Sequence, residues 1–152
     1  MRFEKVRDVL EHAREFHHQV SAYYQQLARQ AANKRVKLML EYMSQHEQGL
    51  ADGLAKFTAD SPPNLLDAWF QFTHDESTLD ALQKQVEFGP DMTLDDAVNL
   101  AMQVDICLIN LYLEMARAAD SGAINELFVS LLELEKAEKL KVARNALMAR
   151  DI

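Results

Sequence analysis

Five side chains combine metal-ligand or acid–base chemistry with positions where a packed helix should be apolar: His17, Glu47, Asp105, Glu135 and Glu138. Glu135 and Glu138 are three residues apart and so share one helix face. Carboxylates with one imidazole suit a hard divalent ion such as iron or manganese. The carboxylates neutralise its charge and the imidazole adds a stronger nitrogen donor. A buried carboxylate is costly unless it is paired, protonated or bound to a metal. The same residues therefore also read as a hydrogen-bonded ion network, with His17 protonated against Asp105 and Glu135. Tyr24 and Tyr112 lie in the same apolar stripes, either as core residues with hydroxyl partners or as donors that steady a metal's ligands. His46 adjoins Glu47 but points about 100° away around a helix, which makes it peripheral. His12, His18 and His74 show no partner pattern and are expected on the surface. The seven methionines are spread through the core stripes and the termini and read as packing rather than a soft-metal site.

The positions repeat along the chain. His17 and Asp105, Tyr24 and Tyr112, Glu47 and Glu135, and Leu50 and Glu138 are each 88 residues apart. Ala13/Ala101, Ala28/Ala116, Val36/Ile124, Leu40/Phe128, Met43/Leu131 and Leu54/Val142 keep the same offset without a gap. This register predicts an internal duplication, two copies of one helical hairpin, which is one way to build a four-helix bundle.

The elements that position these residues follow from period and punctuation. A first helix is predicted from about Phe3 to Ala32, with Val6, Leu10, Ala13, His17, Val20, Tyr24, Leu27 and Ala31 inward. After the turn at Asn33-Lys34, a second runs to about Ala59, with Val36, Leu40, Met43, Glu47, Leu50, Leu54 and Phe57 inward. Gly49 and Gly53 lower helix propensity there; their spacing suits either a close approach by another element or a tolerant solvent face. Ser61-Pro62-Pro63 stops this helix. The stretch Leu65–Phe72 and the piece from Leu79 to Phe88 read as short helices in a long crossover. Thr93 and Asp96 resemble a capping box that opens a third helix with Asp105 and Tyr112 inward. Ser121-Gly122 breaks the chain before a fourth, with Ile124, Phe128, Leu131, Glu135, Glu138, Val142 and Asn145 inward. The fold class is all-α, a single domain over 1–152: a hairpin at about 3–59, a crossover at about 60–91 and a hairpin at about 92–150. Two short hairpins joined by one long connection give the ferritin-like topology.

Composition excludes other classes. The 152 residues are 49% hydrophobic and 26% charged, a mix suited to one globular core. The net charge of −8 argues against a nucleic-acid binder, which needs a basic face. The single cysteine, Cys107, leaves no intramolecular disulfide and no four-cysteine metal module, and its neighbours Ile106, Leu108 and Ile109 mark it as a small core residue. No signal peptide and no membrane-spanning run are read, so a cytoplasmic protein is expected.

The strings Ala101-Met102-Gln103-Val104-Asp105 and Leu111-Tyr112-Leu113-Glu114-Met115-Ala116 are echoed by Ala13, His17, Tyr24 and Leu27-Ala28. Leu40-x-x-Met43-Ser44-x-x-Glu47 is echoed by Phe128-x-x-Leu131-Leu132-x-x-Glu135. Together they resemble the ferritin-like superfamily, specifically its rubrerythrin-like di-iron carboxylate branch. The resemblance implies one glutamate in each of the first and third helices and Glu-x-x-His in each of the second and fourth. This sequence departs from that set: His17 and Asp105 stand where glutamates are implied, and Leu50 and Glu138 where histidines are. Two functions follow as expectations. One is a ferritin-like bundle with residual iron or manganese capacity, or none, acting through association. The other is a di-metal oxidoreductase acting on peroxide or dioxygen. The aromatic crossover, with Trp69, Phe70, Phe72 and Phe88, also suggests a symmetric homodimer.

Overall fold

The structure, a computed structural model, describes residues 2–72 and 89–150. Strand β1 (Arg2–Lys5) leads into α1 (Val6–Gln30); α2 (Lys34–Asp60) follows after a tight turn. A single-turn helix α3 (Pro63–Leu66) and strand β2 (Trp69–Phe72) open the crossover. Helices α4 (Leu94–Ala118) and α5 (Gly122–Arg150) complete the bundle.

Local chemistry sets these boundaries. The Asn33 side chain accepts from the backbone N–H groups of Arg35 and Val36 at 2.9 and 3.3 Å, capping α2. Thr93 and Asp96 form the expected reciprocal box at the start of α4, with bonds of 3.1 and 2.9 Å. Ser121 Oγ accepts from Ile124 N at the start of α5, and Asn125 Nδ2 donates to the Ala116 carbonyl, satisfying an acceptor at the end of α4. The helix starts Val6 and Leu94, and likewise Lys34 and Gly122, keep the 88-residue offset.

Two expectations fail at the N-terminus and in the crossover. The first helix begins at Val6, not Phe3, and Leu65–Phe72 is not helical beyond Leu66. Residues 2–5 and 69–72 pair instead as a short antiparallel ribbon, Lys5 opposite Trp69. Aromatic residues favour the extended state, and pairing supplies partners for backbone groups that a short helix would leave open. Lys5 Nζ lies 5.1 Å from the Trp69 ring centre, a cation–π contact across the ribbon. The helix expected over Leu79–Phe88 lies outside the described residues.

The two described ends of the crossover lie at opposite ends of the bundle. Its beginning is tied to the start of α1 by Val6 N–H donating to the Ala68 carbonyl, and its end to the far end of α1 by Ala32 N–H donating to the Pro90 carbonyl, both at 3.1 Å. With a rise of about 1.5 Å per residue, those anchors stand a whole helix apart. α4 therefore starts beside the end of α1 and runs parallel to α2, a head-to-tail arrangement of two hairpins.

The core is divided in two. One half packs Val6, Leu10 and Ala13 of α1 against Leu108, Tyr112 and Met115 of α4 and Ile124, Phe128 and Leu131 of α5. The other packs Val20, Tyr24 and Leu27 of α1 against Val36, Leu40 and Met43 of α2 and Ala97, Ala101 and Val104 of α4. Between them lie His17, Glu47, Asp105 and Glu135, one from each long helix and each at most 3% exposed. Gly49 and Gly53 are exposed with nothing within 4 Å of an added Cβ, so no element among the described residues approaches them closely. Against expectation, α4 is long and apolar enough to cross a membrane by length and composition. Its buried residues, among them Val98, Ala101, Leu108 and Met115, pack within the two halves of the core.

Candidate metal centre

The imidazole of His17 is wedged between helices α2 and α5. Its Nδ1 lies 2.5 Å from Glu47 Oε2 and its Nε2 lies 3.1 Å from Glu135 Oε1, with the ring fully buried. Only a protonated imidazole can donate to both carboxylates at once. Burial pulls its pKa down, but the bonds to Glu135 and Glu47 and their charges outweigh this and raise it to about 9. One positive charge thus bridges two buried glutamates from opposite hairpins.

Asp105 completes the layer from α4. Burial first, then the charges of Glu47 and Glu135, raise its pKa to about 8 despite the opposing influence of His17 and Lys139. It is therefore protonated at neutral pH, which limits the negative charge of the layer. Tyr24 and Tyr112 lie on either side of this layer, each fully buried. Burial and the nearby carboxylates hold both phenols neutral, well above the ordinary tyrosine range. Four buried atoms here have no hydrogen-bond partner among the described residues: Asp105 Oδ2, Glu135 Oε2 and the two tyrosine hydroxyls. Such atoms are costly to bury and are a reason to expect an ion or water in the layer.

Four of the five sequence-predicted residues converge: His17, Glu47, Asp105 and Glu135. The fifth does not. Glu138 leaves the layer, pairing through Oε2 with His46 Nε2 and through Oε1 with Lys141 Nζ, both at 3.2 Å. The helix geometry permits this: side chains at i and i+3 are about 60° apart, so Glu138 can face His46 and Lys141 while Glu135 faces His17. Leu50, half-buried, offers no lone pair. As arranged, no group of three or more His, Cys, Asp or Glu side chains among the described residues could hold a metal ion. Both His17 nitrogens are committed to carboxylates. The donors fit one hard divalent ion only if the imidazole turns off one glutamate; they do not fit a pair.

Sequence reasoning missed a second polar contact. Ser21 Oγ donates to the Ser44 carbonyl at 2.9 Å and Ser44 Oγ to the Ser21 carbonyl at 3.0 Å, clasping α1 to α2. The signal was a small polar residue inside each apolar stripe, where the second hairpin has Ile109 and Leu132. His18 is also not a bare surface residue: its Nδ1 lies 3.1 Å from Gln48 Oε1. Cys107 is half-buried, and burial raises its pKa, so it is not a poised thiolate.

Two antiparallel helical hairpins, a connection that joins opposite ends of the bundle and one buried ionisable residue from each long helix define a ferritin-like four-helix bundle. No family model and no curated protein matches the chain. Among solved structures it is similar to a protein from Thermotoga maritima assigned to the ferritin-like diiron-carboxylate proteins, with a TM-score of 0.59, 18% identity and 95% of each chain covered.

Proposed function

We propose that this chain is a ferritin-like bundle of rubrerythrin type, arisen by internal duplication, that retains a capacity for one iron or manganese ion at the His17–Glu47–Asp105–Glu135 layer. The observation that carries this reading is the pair of buried, unpartnered carboxylate oxygens, Asp105 Oδ2 and Glu135 Oε2, beside a buried imidazole. The likeness to a protein assigned as diiron-carboxylate supports it. The 88-residue spacing of helix starts and buried polar positions supports the duplication. In the metal-free chain the charge of His17 holds the glutamates together. A bound ion would supply Lewis acidity and charge to the same carboxylates. The di-metal oxidoreductase acting on peroxide or dioxygen is the weaker reading, because Leu50 cannot ligate and Glu138 is engaged elsewhere. A cytoplasmic setting and a homodimer without nucleic-acid or membrane partners belong to the same proposal.

Anaerobic calorimetric titration of the metal-free protein with ferrous iron and with manganese(II), beside mass-spectrometric metal analysis of the purified chain, tests it. One ion per chain at the central layer, with a raised unfolding temperature, is expected, since a ligand that binds only the folded state stabilises it. Tight uptake of two irons at that layer would favour the oxidoreductase, and no uptake there would leave a purely structural bundle.

A further inference from the structure

His46 and Glu138 contact each other across α2 and α5 outside the central layer, and their geometry is unlike an ordinary ion pair. His46 Nε2 lies 3.2 Å from Glu138 Oε2, yet this buried nitrogen forms no hydrogen bond among the described residues. The distance suits a hydrogen bond and the direction does not. Two atoms bound to a common transition-metal ion at roughly 2.1 Å each and separated as these are would subtend about 100°, between the octahedral and tetrahedral angles. We propose that His46 and Glu138 form an outer binding site for one divalent transition-metal ion, with water completing its shell.

The surroundings hold both ligands in place. Tyr42, one turn before His46, stacks on its ring at 6.2 Å between centroids and 21° between planes. The Tyr42 hydroxyl accepts from Asn145 Nδ2, which ties that stack to α5. Lys141 engages Glu138 through Oε1, leaving Oε2 toward the imidazole. The side chains of His46 and Glu138 are 13% and 12% exposed, which puts them at the edge of the bundle rather than in the central layer. The pairing of one imidazole with one carboxylate selects zinc or ferrous iron over calcium or magnesium, which take oxygen ligands. Nothing in this site requires His17 to leave Glu47 or Glu135, so it does not depend on the central layer.

Zinc(II) titrated into the metal-free full chain, followed by calorimetry and by the imidazole proton signals in NMR, tests the proposal with His46→Gln and Glu138→Gln beside the natural protein. Far-ultraviolet dichroism checks that each variant keeps its helices. In the natural chain zinc should shift the His46 signals, identified by their loss in His46→Gln. Both variants should lose at least about tenfold in affinity for that ion, about 1.4 kcal/mol. Zinc uptake that leaves the His46 signals unmoved, or that survives unchanged in either variant, overturns the outer site. Uptake that disappears entirely in both variants sustains it and shows that the central layer takes no zinc.

Discussion

His17 is the residue on which the layer turns. Removing it leaves two buried carboxylates without a counter-charge, a loss that typically costs about 3–5 kcal/mol. His17→Ala should therefore lower unfolding stability by that order in urea titration, while His17→Gln, which can still donate one hydrogen bond, should cost less. A cost for His17→Ala below about 1 kcal/mol would mean that the carboxylates find other partners. The pH dependence has a definite sign. The folded pKa of His17, about 9, lies above its ordinary 6.5, so its contribution is complete below 6.5 and disappears as pH rises through 9. Asp105 is protonated up to about 8 when folded against an ordinary 3.8, so stability also falls across that interval. Both push the same way: the metal-free protein should melt at a higher temperature at pH 6 than at pH 9.5, and the fall above pH 8 should shrink in His17→Gln. A melting temperature that rises with pH across this range contradicts the bridged imidazolium.

At the scale of elements, the two hairpins are built alike but joined differently. The first is clasped by Ser21 and Ser44, whereas the second packs Ile109 and Leu132 at the equivalent positions. α2 also carries two glycines whose added methyl groups would meet nothing within 4 Å. Glycine in a helix interior costs about 0.5–1 kcal/mol relative to alanine. Gly49→Ala and Gly53→Ala should each raise stability by about that amount, read as a higher melting temperature with unchanged helix content. Destabilisation by either would reveal a contact made by a partner or by residues of the crossover. The ribbon of β1 and β2 shows the limit of helix periodicity in short aromatic segments. Trp69-Phe70-Gln71-Phe72 satisfies either pattern locally, and only β1 alongside makes the extended state the better one.

For the whole molecule, several large apolar side chains face outward. Trp69, Leu140 and Leu38 are 60%, 59% and 58% exposed, and Leu134 and Ile106 are 46% and 43%. Scattered apolar residues are ordinary on a monomer, but a symmetric dimer would cover some of them. Light scattering at high micromolar concentration should give twice the chain mass of 17.4 kDa; a monomer mass would remove the dimer from the proposed function. Association also bears on the outer site, because Tyr42, which stacks on His46, is itself partly exposed. A dimer face over Tyr42 would restrict access of a cation to His46.

The bundle was legible in the sequence because a buried helix face repeats every three to four residues and because the two hairpins keep one offset. Val6, Leu10, Ala13, His17, Val20, Tyr24 and Leu27 are all buried, as that period requires. Periodicity also placed His17, Glu47, Asp105 and Glu135 at one level, since each lies near the middle of its helix. It did not distinguish Glu138 from Glu135. Residues at i and i+3 share a face only to within about 60°, and which one enters the core depends on what already fills it. Here Glu135 meets the buried His17, while Glu138 lies against His46 and Lys141 nearer the surface. Nor does the sequence state that one imidazole spans two glutamates 30 and 118 residues away. That contact depends on the approach of α2 and α5 to α1, a distance set by packing between hairpins rather than by the pattern along any one helix.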